Sequence, residues 1–183
     1  MENTIENTSP GMIKPALNYA LIISVVLIIV DLIFYLAGNP QANMKVYVGY
    51  AIVIGGFSYA AVMFRNEYNG GFITYGKSLG FIVVTGLITG IIIAIWTYVY
   101  LALIAPEVME IIREKTIENA YASAYAINPN ISDAEIDAII DLQLRIQKPG
   151  ILAAMTILGY PIQALLFGLI ISIFVKKKNP EFA

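Results

Sequence analysis

Four stretches of the chain are almost continuously apolar, and polar segments separate them. The predicted spans cover residues 15–37, 46–64, 78–105 and 151–175, each at least 19 residues long. About 20 apolar residues in a helix cross a hydrocarbon core roughly 30 Å thick. The pattern therefore predicts an all-α membrane protein, with four transmembrane helices in a single integral membrane domain over residues 1–183.

Residues 106–148, between the third and fourth spans, are polar but have helical periodicity. The letters SDAE at 132–135 are typical of a capping box, and isoleucines follow at positions 136, 139 and 140. We expect an amphipathic helical hairpin outside the membrane. Its apolar face has alternative uses: packing of the two helices on each other, or contact with a protein or lipid partner.

The composition supports a membrane location and limits the kinds of catalytic and metal-binding site that the chain can form. Hydrophobic residues make up 58% of the chain and charged residues 13%, against about 25% charged residues in soluble domains. The net charge of −2 gives no electrostatic footprint for nucleic acid. The chain has no cysteine and no histidine, which excludes disulfides, thiol or Ser-His nucleophiles and the usual zinc sites. We expect a non-enzymatic protein without a cofactor or metal.

Basic residues predict the orientation. The side that carries both termini holds six lysines and arginines, including the run Lys176–Lys178, and the other side holds five. Because basic residues favour the cytoplasmic side, we expect both termini to be cytoplasmic and the hairpin to lie outside.

The letters GFITYGKS at residues 71–78 match the phosphate-binding P-loop pattern. A P-loop joins a buried strand to a helix, in a sheet that also supplies a magnesium-binding acid. Here a span precedes the motif, and no apolar strand ending in Asp is present. We therefore predict no nucleotide binding. Gly70 and Gly71 suit a turn, and Lys77 can reach a lipid phosphate.

The same region carries a family resemblance. The letters FRNEYNGGFITYGKSLGFIV at 64–83 follow a Gly-rich second span. A long third span then ends in Tyr98, Tyr100 and APEVME at 105–110, and Pro149-Gly150 precede the last span. This arrangement, over nearly the whole chain, resembles the bacterial family called domain of unknown function 4199. The resemblance implies four spans in a bacterial cytoplasmic membrane, and it implies no activity and no catalytic residues.

Asp31 is the first candidate functional residue. It is predicted to lie roughly 9 Å inside the outer end of the first span, and an acid within the membrane is a functional candidate by default. Trp96, Thr97, Tyr98 and Thr156 are expected at similar depth, and Lys45 can reach down from the interface. The alternative is a structural carboxyl that is hydrogen-bonded or near water.

Gln163 is the second candidate, near the middle of the fourth span beside Pro161. Proline removes a backbone hydrogen bond, and a broken helix with an amide at mid-membrane is typical of a substrate site. The alternative is packing and hydrogen bonding between helices.

Small residues recur every four positions in two spans. They are Gly86, Gly90 and Ala94 in the third span, and Ala164 and Gly168 in the fourth. Such spacing lets helices approach closely. We expect these residues to pack the bundle, and a seam between two copies of the chain is the alternative.

Two functions follow from these observations. The first, which we expect by elimination, is non-enzymatic binding of a protein or membrane-lipid partner through the outer hairpin, with a homo-oligomer as one option. The second is a small transporter or channel-like subunit that uses Asp31 and Gln163. An enzyme acting on lipids is the weakest alternative, because the chain lacks His and Cys.

Overall fold

A computed structural model describes residues 11–179, of which 83% are helical. The helices of this region are α1 (Ile13–Leu36), α2 (Asn43–Tyr68), α3 (Tyr75–Val99), α4 (Val108–Ile127), α5 (Asp133–Ile146) and α6 (Pro149–Val175). A π-helical turn, Tyr100–Ile104, continues α3.

Four of these helices, α1, α2, α3 with its π-helical turn, and α6, are long and apolar enough to cross a membrane. The predicted all-α fold with four long apolar helices is thereby confirmed. The bundle has two ends. The termini end holds the α2–α3 connection and the residues after α6, and the hairpin end holds the α1–α2 connection, α4 and α5.

Some helices extend beyond the apolar segments seen in the sequence. Helix α2 begins at Asn43 and ends at Tyr68, whereas the predicted span covers 46–64. Helix α3 begins at Tyr75, three residues before the predicted start. Hydropathy identifies the residues that can face lipid, but helical backbone hydrogen bonds also form in the polar residues that flank them. The helices are therefore longer than the apolar segments. At α3 the Thr74 hydroxyl caps the helix by accepting a hydrogen bond from the Lys77 amide over 3.3 Å.

Helices α3 and α6 pack most closely, and glycines make this possible. A Cβ built on Gly86 would lie 2.3 Å from Cβ of Ala164, and one built on Gly90 would lie 3.0 Å from the Thr156 carbonyl oxygen. A Cβ on Gly168 would lie 2.9 Å from Cδ1 of Leu79. Ala94, the next small residue of α3, is also buried. Gly86 and Gly90 of α3 therefore lie against α6 inside the bundle, as the spacing of the small residues predicts.

The termini end is closed by main-chain contacts. Gly70 and Gly71 have φ values of +59° and +86°, which form the turn after α2. Ile73 and Lys177 then form an antiparallel bridge, with N–O distances of 3.0 and 2.9 Å. The Arg65 guanidinium donates to the carbonyl oxygen of Val175 over 3.0 Å. The segment after α6 is thereby held against the start of α3.

Helices α4 and α5 form an antiparallel pair. The predicted capping box is present, with the Ser132 amide donating to Oε2 of Glu135 over 3.0 Å. Tyr121 donates a 2.7 Å hydrogen bond to Asp137 across the pair, which raises the pKa of Tyr121 to about 12. Ile136 is fully buried and Ile140 nearly so. These two side chains therefore pack between α4 and α5. Packing of the two helices on each other is one of the alternatives given above for this apolar face.

Candidate functional site

Asp31 joins three helices of the bundle. It lies on α1 five residues before Leu36, about 7.5 Å along the helix from that end. Its Oδ1 forms an ion pair with the Lys45 ammonium of α2, and its Oδ2 accepts a 2.8 Å hydrogen bond from Nε1 of Trp96 on α3. Both carboxylate oxygens therefore have a donor from another helix.

Lys45 is in the first turn of α2, so its side chain can descend toward Asp31. Its ammonium also donates to the Pro40 carbonyl oxygen over 3.0 Å. The side chains of Lys45 and Asp31 are 25% and 16% exposed. A buried charge is costly unless it is paired, and here the pair compensates both charges while part of each side chain stays accessible.

A cavity of about 260 Å³ adjoins the ion pair. It lies among all four long helices and is lined by Leu27, Val30, Asp31, Lys45, Gly49, Ile93, Trp96, Thr97, Thr156 and Tyr160. The Thr156 hydroxyl donates to the Ala153 carbonyl over 2.7 Å, and Tyr98 is 51% exposed. Of the expected neighbours of Asp31, Lys45 and Trp96 contact it, Thr97 and Thr156 line the cavity, and Tyr98 points away.

Gln163 lies beside this site but does not contact Asp31. It lines a second cavity, of about 200 Å³, whose walls share Leu27, Gly49 and Tyr160 with the first. Its side chain makes no hydrogen bond to residues 11–179. Helix α6 continues through Pro161 from residue 149 to 175, so the fourth span is one continuous helix.

An aromatic layer covers the ion pair on its hairpin side. The rings of Tyr35 and Trp96 lie 5.7 and 5.6 Å from the ring of Tyr100, and the Lys45 ammonium lies 6.0 Å from it. Tyr100 is only 4% exposed, and its hydroxyl has no partner within residues 11–179. Tyr100 also opens the π-helical turn, and such turns are frequent at functional sites. In the sequence Tyr100 looks only like an interfacial aromatic residue.

The layer connects the ion pair to the hairpin. The Tyr35 hydroxyl donates to Oε1 of Glu107 over 2.8 Å, and the Lys115 ammonium donates to the Gln41 carbonyl over 2.5 Å. Val108 and Met109, at the start of α4, pack with Tyr100. The pKa of Glu107 is lowered, first by a hydrogen bond from its own backbone amide and then by Tyr35. The sequence contains no spacing that would signal these contacts.

The hairpin leaves one apolar side of α5 uncovered. Ile139, Leu142 and Ile146 recur at helical spacing and are exposed, Leu142 by 66%. Helix α5 ends at Ile146, and α6 begins at Pro149. This side of α5 is therefore available for contact with lipid or with another molecule.

The P-loop-like letters at 71–78 form a turn and the start of a long apolar helix. The turn at Gly70-Gly71 begins them, the isolated bridge at Ile73 lies within them, and the element before them is helix α2 and not a strand. Among residues 11–179, no three acidic side chains cluster closely enough to hold a metal ion.

The chain was compared with known proteins. Neither a curated protein nor a solved structure matches it. Residues 18–177 match the family described as "Protein of unknown function (DUF4199)". This match covers all four long apolar helices almost completely and the hairpin between them. The chain therefore belongs to the DUF4199 family of proteins of unknown function.

Proposed function

We propose that this protein is a non-enzymatic membrane protein that exchanges a proton or a small monovalent cation at Asp31. Such an exchange is the function of a small transporter or channel-like subunit. The observation that carries the proposal is the partly accessible ion pair of Asp31 and Lys45 beside a cavity among four apolar helices. An ionisable residue within such helices is a functional candidate by default, and ion pathways and proton relays are among the sites that it marks.

The surroundings of the Lys45 ammonium suit a cation. A carboxylate oxygen of Asp31 and the carbonyl oxygen of Pro40 contact it, and these are oxygen ligands of the kind that hard cations prefer. Lys45 can therefore be regarded as an internal cation that a proton on Asp31 or a metal cation would displace. The hydroxyls of Thr97 and Thr156 in the cavity wall add further oxygen atoms.

Tyr100 does not line this cavity, but its ring lies 6.0 Å from the Lys45 ammonium and its hydroxyl adds a polar group on the hairpin side of the ion pair. A buried hydroxyl without a partner costs about 1–3 kcal/mol, so the hydroxyl of Tyr100 favours a water molecule or a hydrated ion next to it. The cavity at Gln163 shares walls with the Asp31 cavity and extends this polar path along α6.

A flux assay tests the proposal. The protein is reconstituted into phosphatidylcholine liposomes that contain a dye for protons, Na⁺ or K⁺, and a gradient of the matching ion is imposed. We expect flux with the wild type that Asp31→Asn abolishes, because the amide keeps the shape but carries no exchangeable charge. Glu67→Gln is the matched control, since it removes an acid of α2 at the termini end. Absence of flux in the wild type, or equal flux in Asp31→Asn, would contradict the proposal.

The exposed side of α5 supports a second candidate function, binding of the hairpin to the membrane surface. Ile139, Leu142 and Ile146 give α5 the apolar stripe of an interfacial helix, and α6 begins three residues after α5 ends. In a Trp96→Phe background, tryptophan at Leu142 should be quenched by brominated lipid, whereas tryptophan at Asp141, which points about 100° away around the helix, should be quenched much less. If brominated lipid quenches neither of these tryptophans, the exposed side of α5 would be assigned to a protein partner instead.

The location forms part of the proposal. We place the protein in a bacterial cytoplasmic membrane, with both termini in the cytoplasm and the hairpin outside. Support comes from the density of basic residues at the termini end, where Lys176–Lys178 follow α6 directly.

A further inference from the structure

Three lysines meet in a cavity at the termini end, far along the bundle from Asp31. Lys77 comes from the first turn of α3, and Lys177 and Lys178 come from the segment after α6. The cavity has a volume of about 630 Å³, and its remaining walls are Asn69, Phe72, Ile73, Thr74 and Asn179. Among residues 11–179, no carboxylate lines it.

The main chain holds these lysines together. The bridge between Ile73 and Lys177 places the segment after α6 against the start of α3, so residues about a hundred positions apart share one wall. The Lys177 ammonium lies 5.5 Å from the Phe72 ring centroid. None of the three lysines forms an ion pair with a carboxylate among residues 11–179. Their combined positive charge is therefore uncompensated within the described part of the chain.

A second, more apolar cavity adjoins the first. Its volume is about 500 Å³, and it is lined by Ile73, Thr74, Tyr75, Lys176 and Lys178. Ile73, Thr74 and Lys178 belong to both cavities. The cavity with the three lysines thus opens into a cavity lined by Ile73 and Tyr75, at the end of the apolar helices.

We propose that these two cavities bind an anionic phospholipid, with its phosphate among Lys77, Lys177 and Lys178 and an acyl chain along Ile73 and Tyr75. Lysine ammonium groups near a membrane surface attract anionic headgroups, and basic pockets between membrane helices bind them. The adjoining apolar wall favours a lipid over a free phosphate or a nucleotide, since neither has an apolar part to fill it. The glycine-rich GFITYGKS segment thus contributes one lysine of a lipid phosphate site.

Native mass spectrometry of protein extracted from nanodiscs tests this inference. Wild type from discs of mixed phosphatidylcholine and phosphatidylglycerol should retain phosphatidylglycerol selectively. Replacing Lys77, Lys177 and Lys178 by Gln should weaken the retention of phosphatidylglycerol roughly fivefold for each lysine. This factor corresponds to a binding free energy of about 1 kcal/mol per basic residue. The fold should survive, because Lys177 contributes only its main chain to the bridge.

A matched variant controls for net charge. Lys14→Gln/Arg145→Gln/Lys148→Gln removes three exposed charges outside the cavity and should keep the selectivity. Equal retention of the two lipids by wild type, or unchanged selectivity in the cavity variant, would overturn the inference. Displacement of phosphatidylglycerol by glycerol 3-phosphate or ATP would also overturn it, because a soluble phosphate would then be the ligand.

Discussion

The contact between α3 and α6 gives a prediction whose size can be worked out from the structure. In Gly86→Ala the new Cβ would lie 2.3 Å from Cβ of Ala164, whereas ordinary contacts are 3.4–4 Å. Neither atom can rotate away, because each Cβ is fixed to its helix backbone. The two helices must therefore separate locally by roughly 1 Å, a gap that forfeits a quarter to a half of each dispersion contact across it.

The expected free-energy change combines two opposing effects. Overpacking of a tight interface costs about 1–3 kcal/mol, while alanine in place of glycine favours a helix by about 1 kcal/mol. Gly80→Ala is the matched control, since it lies in the same helix and a Cβ there has no neighbour within 4 Å. Because the helix gain is common to both variants and cancels, we expect Gly86→Ala to be about 1–3 kcal/mol less stable than Gly80→Ala.

The assay is equilibrium unfolding in mixed micelles with increasing SDS, followed by helical circular dichroism. Ala164→Gly in the Gly86→Ala background should restore part of the lost stability. Full recovery is not expected, because the Tyr160 carbonyl oxygen would still lie 3.1 Å from the new Cβ. If Gly86→Ala is as stable as Gly80→Ala, the close approach of α3 and α6 is refuted.

Three further predictions concern the hairpin and the topology. Ile136→Asp should lower the stability of the hairpin by about 3 kcal/mol, because it buries a charge against α4. Proteolysis at residues 128–132 should then become faster, whereas Leu142→Asp should leave the cleavage rate unchanged. The pKa of Glu135 is lowered by hydrogen bonds from the Ser132 amide and hydroxyl, so the stability that this carboxylate gives to α5 is present above its unfolded pKa and is lost as the pH falls through its folded pKa. The protection factors of the α5 amides, which correct for the slower intrinsic exchange in acid, should therefore fall on acidification, and fall less in Glu135→Gln. A reporter fused to the C-terminus should be cytoplasmic, and a tag in the α4–α5 connection should be accessible from outside. The reverse labelling would refute the orientation inferred from the distribution of lysine and arginine.

The sequence predicts the membrane helices well because their signal is local. Each long apolar helix is a nearly unbroken apolar run, so hydropathy finds it without knowledge of its neighbours. Small residues four apart likewise identify Gly86 and Gly90 as positions for close approach, although the spacing does not say that Ala164 and Thr156 lie opposite them.

The partners of Asp31 are not specified by the sequence, because they depend on how the helices are rotated about their axes. Trp96, Thr97 and Tyr98 lie at similar depth, but successive residues point about 100° apart, and only Trp96 turns its donor to Asp31. The meeting of Lys77 with Lys177 could not be predicted either. It depends on the bridge between two segments that lie about a hundred residues apart.

The fluorescence of Trp96 offers the most direct test of exchange at Asp31. The chain has a single tryptophan, and its indole N–H donates to the carboxylate under test, so its emission reports on that carboxylate. In phosphatidylcholine nanodiscs we expect a saturable change of the wild-type emission on acidification or on addition of Na⁺ or K⁺ at constant ionic strength. Glu67→Gln should keep this change and Asp31→Asn should lose it. An unresponsive wild type, or the same response in Asp31→Asn, would contradict the exchange of Lys45 for a proton or cation.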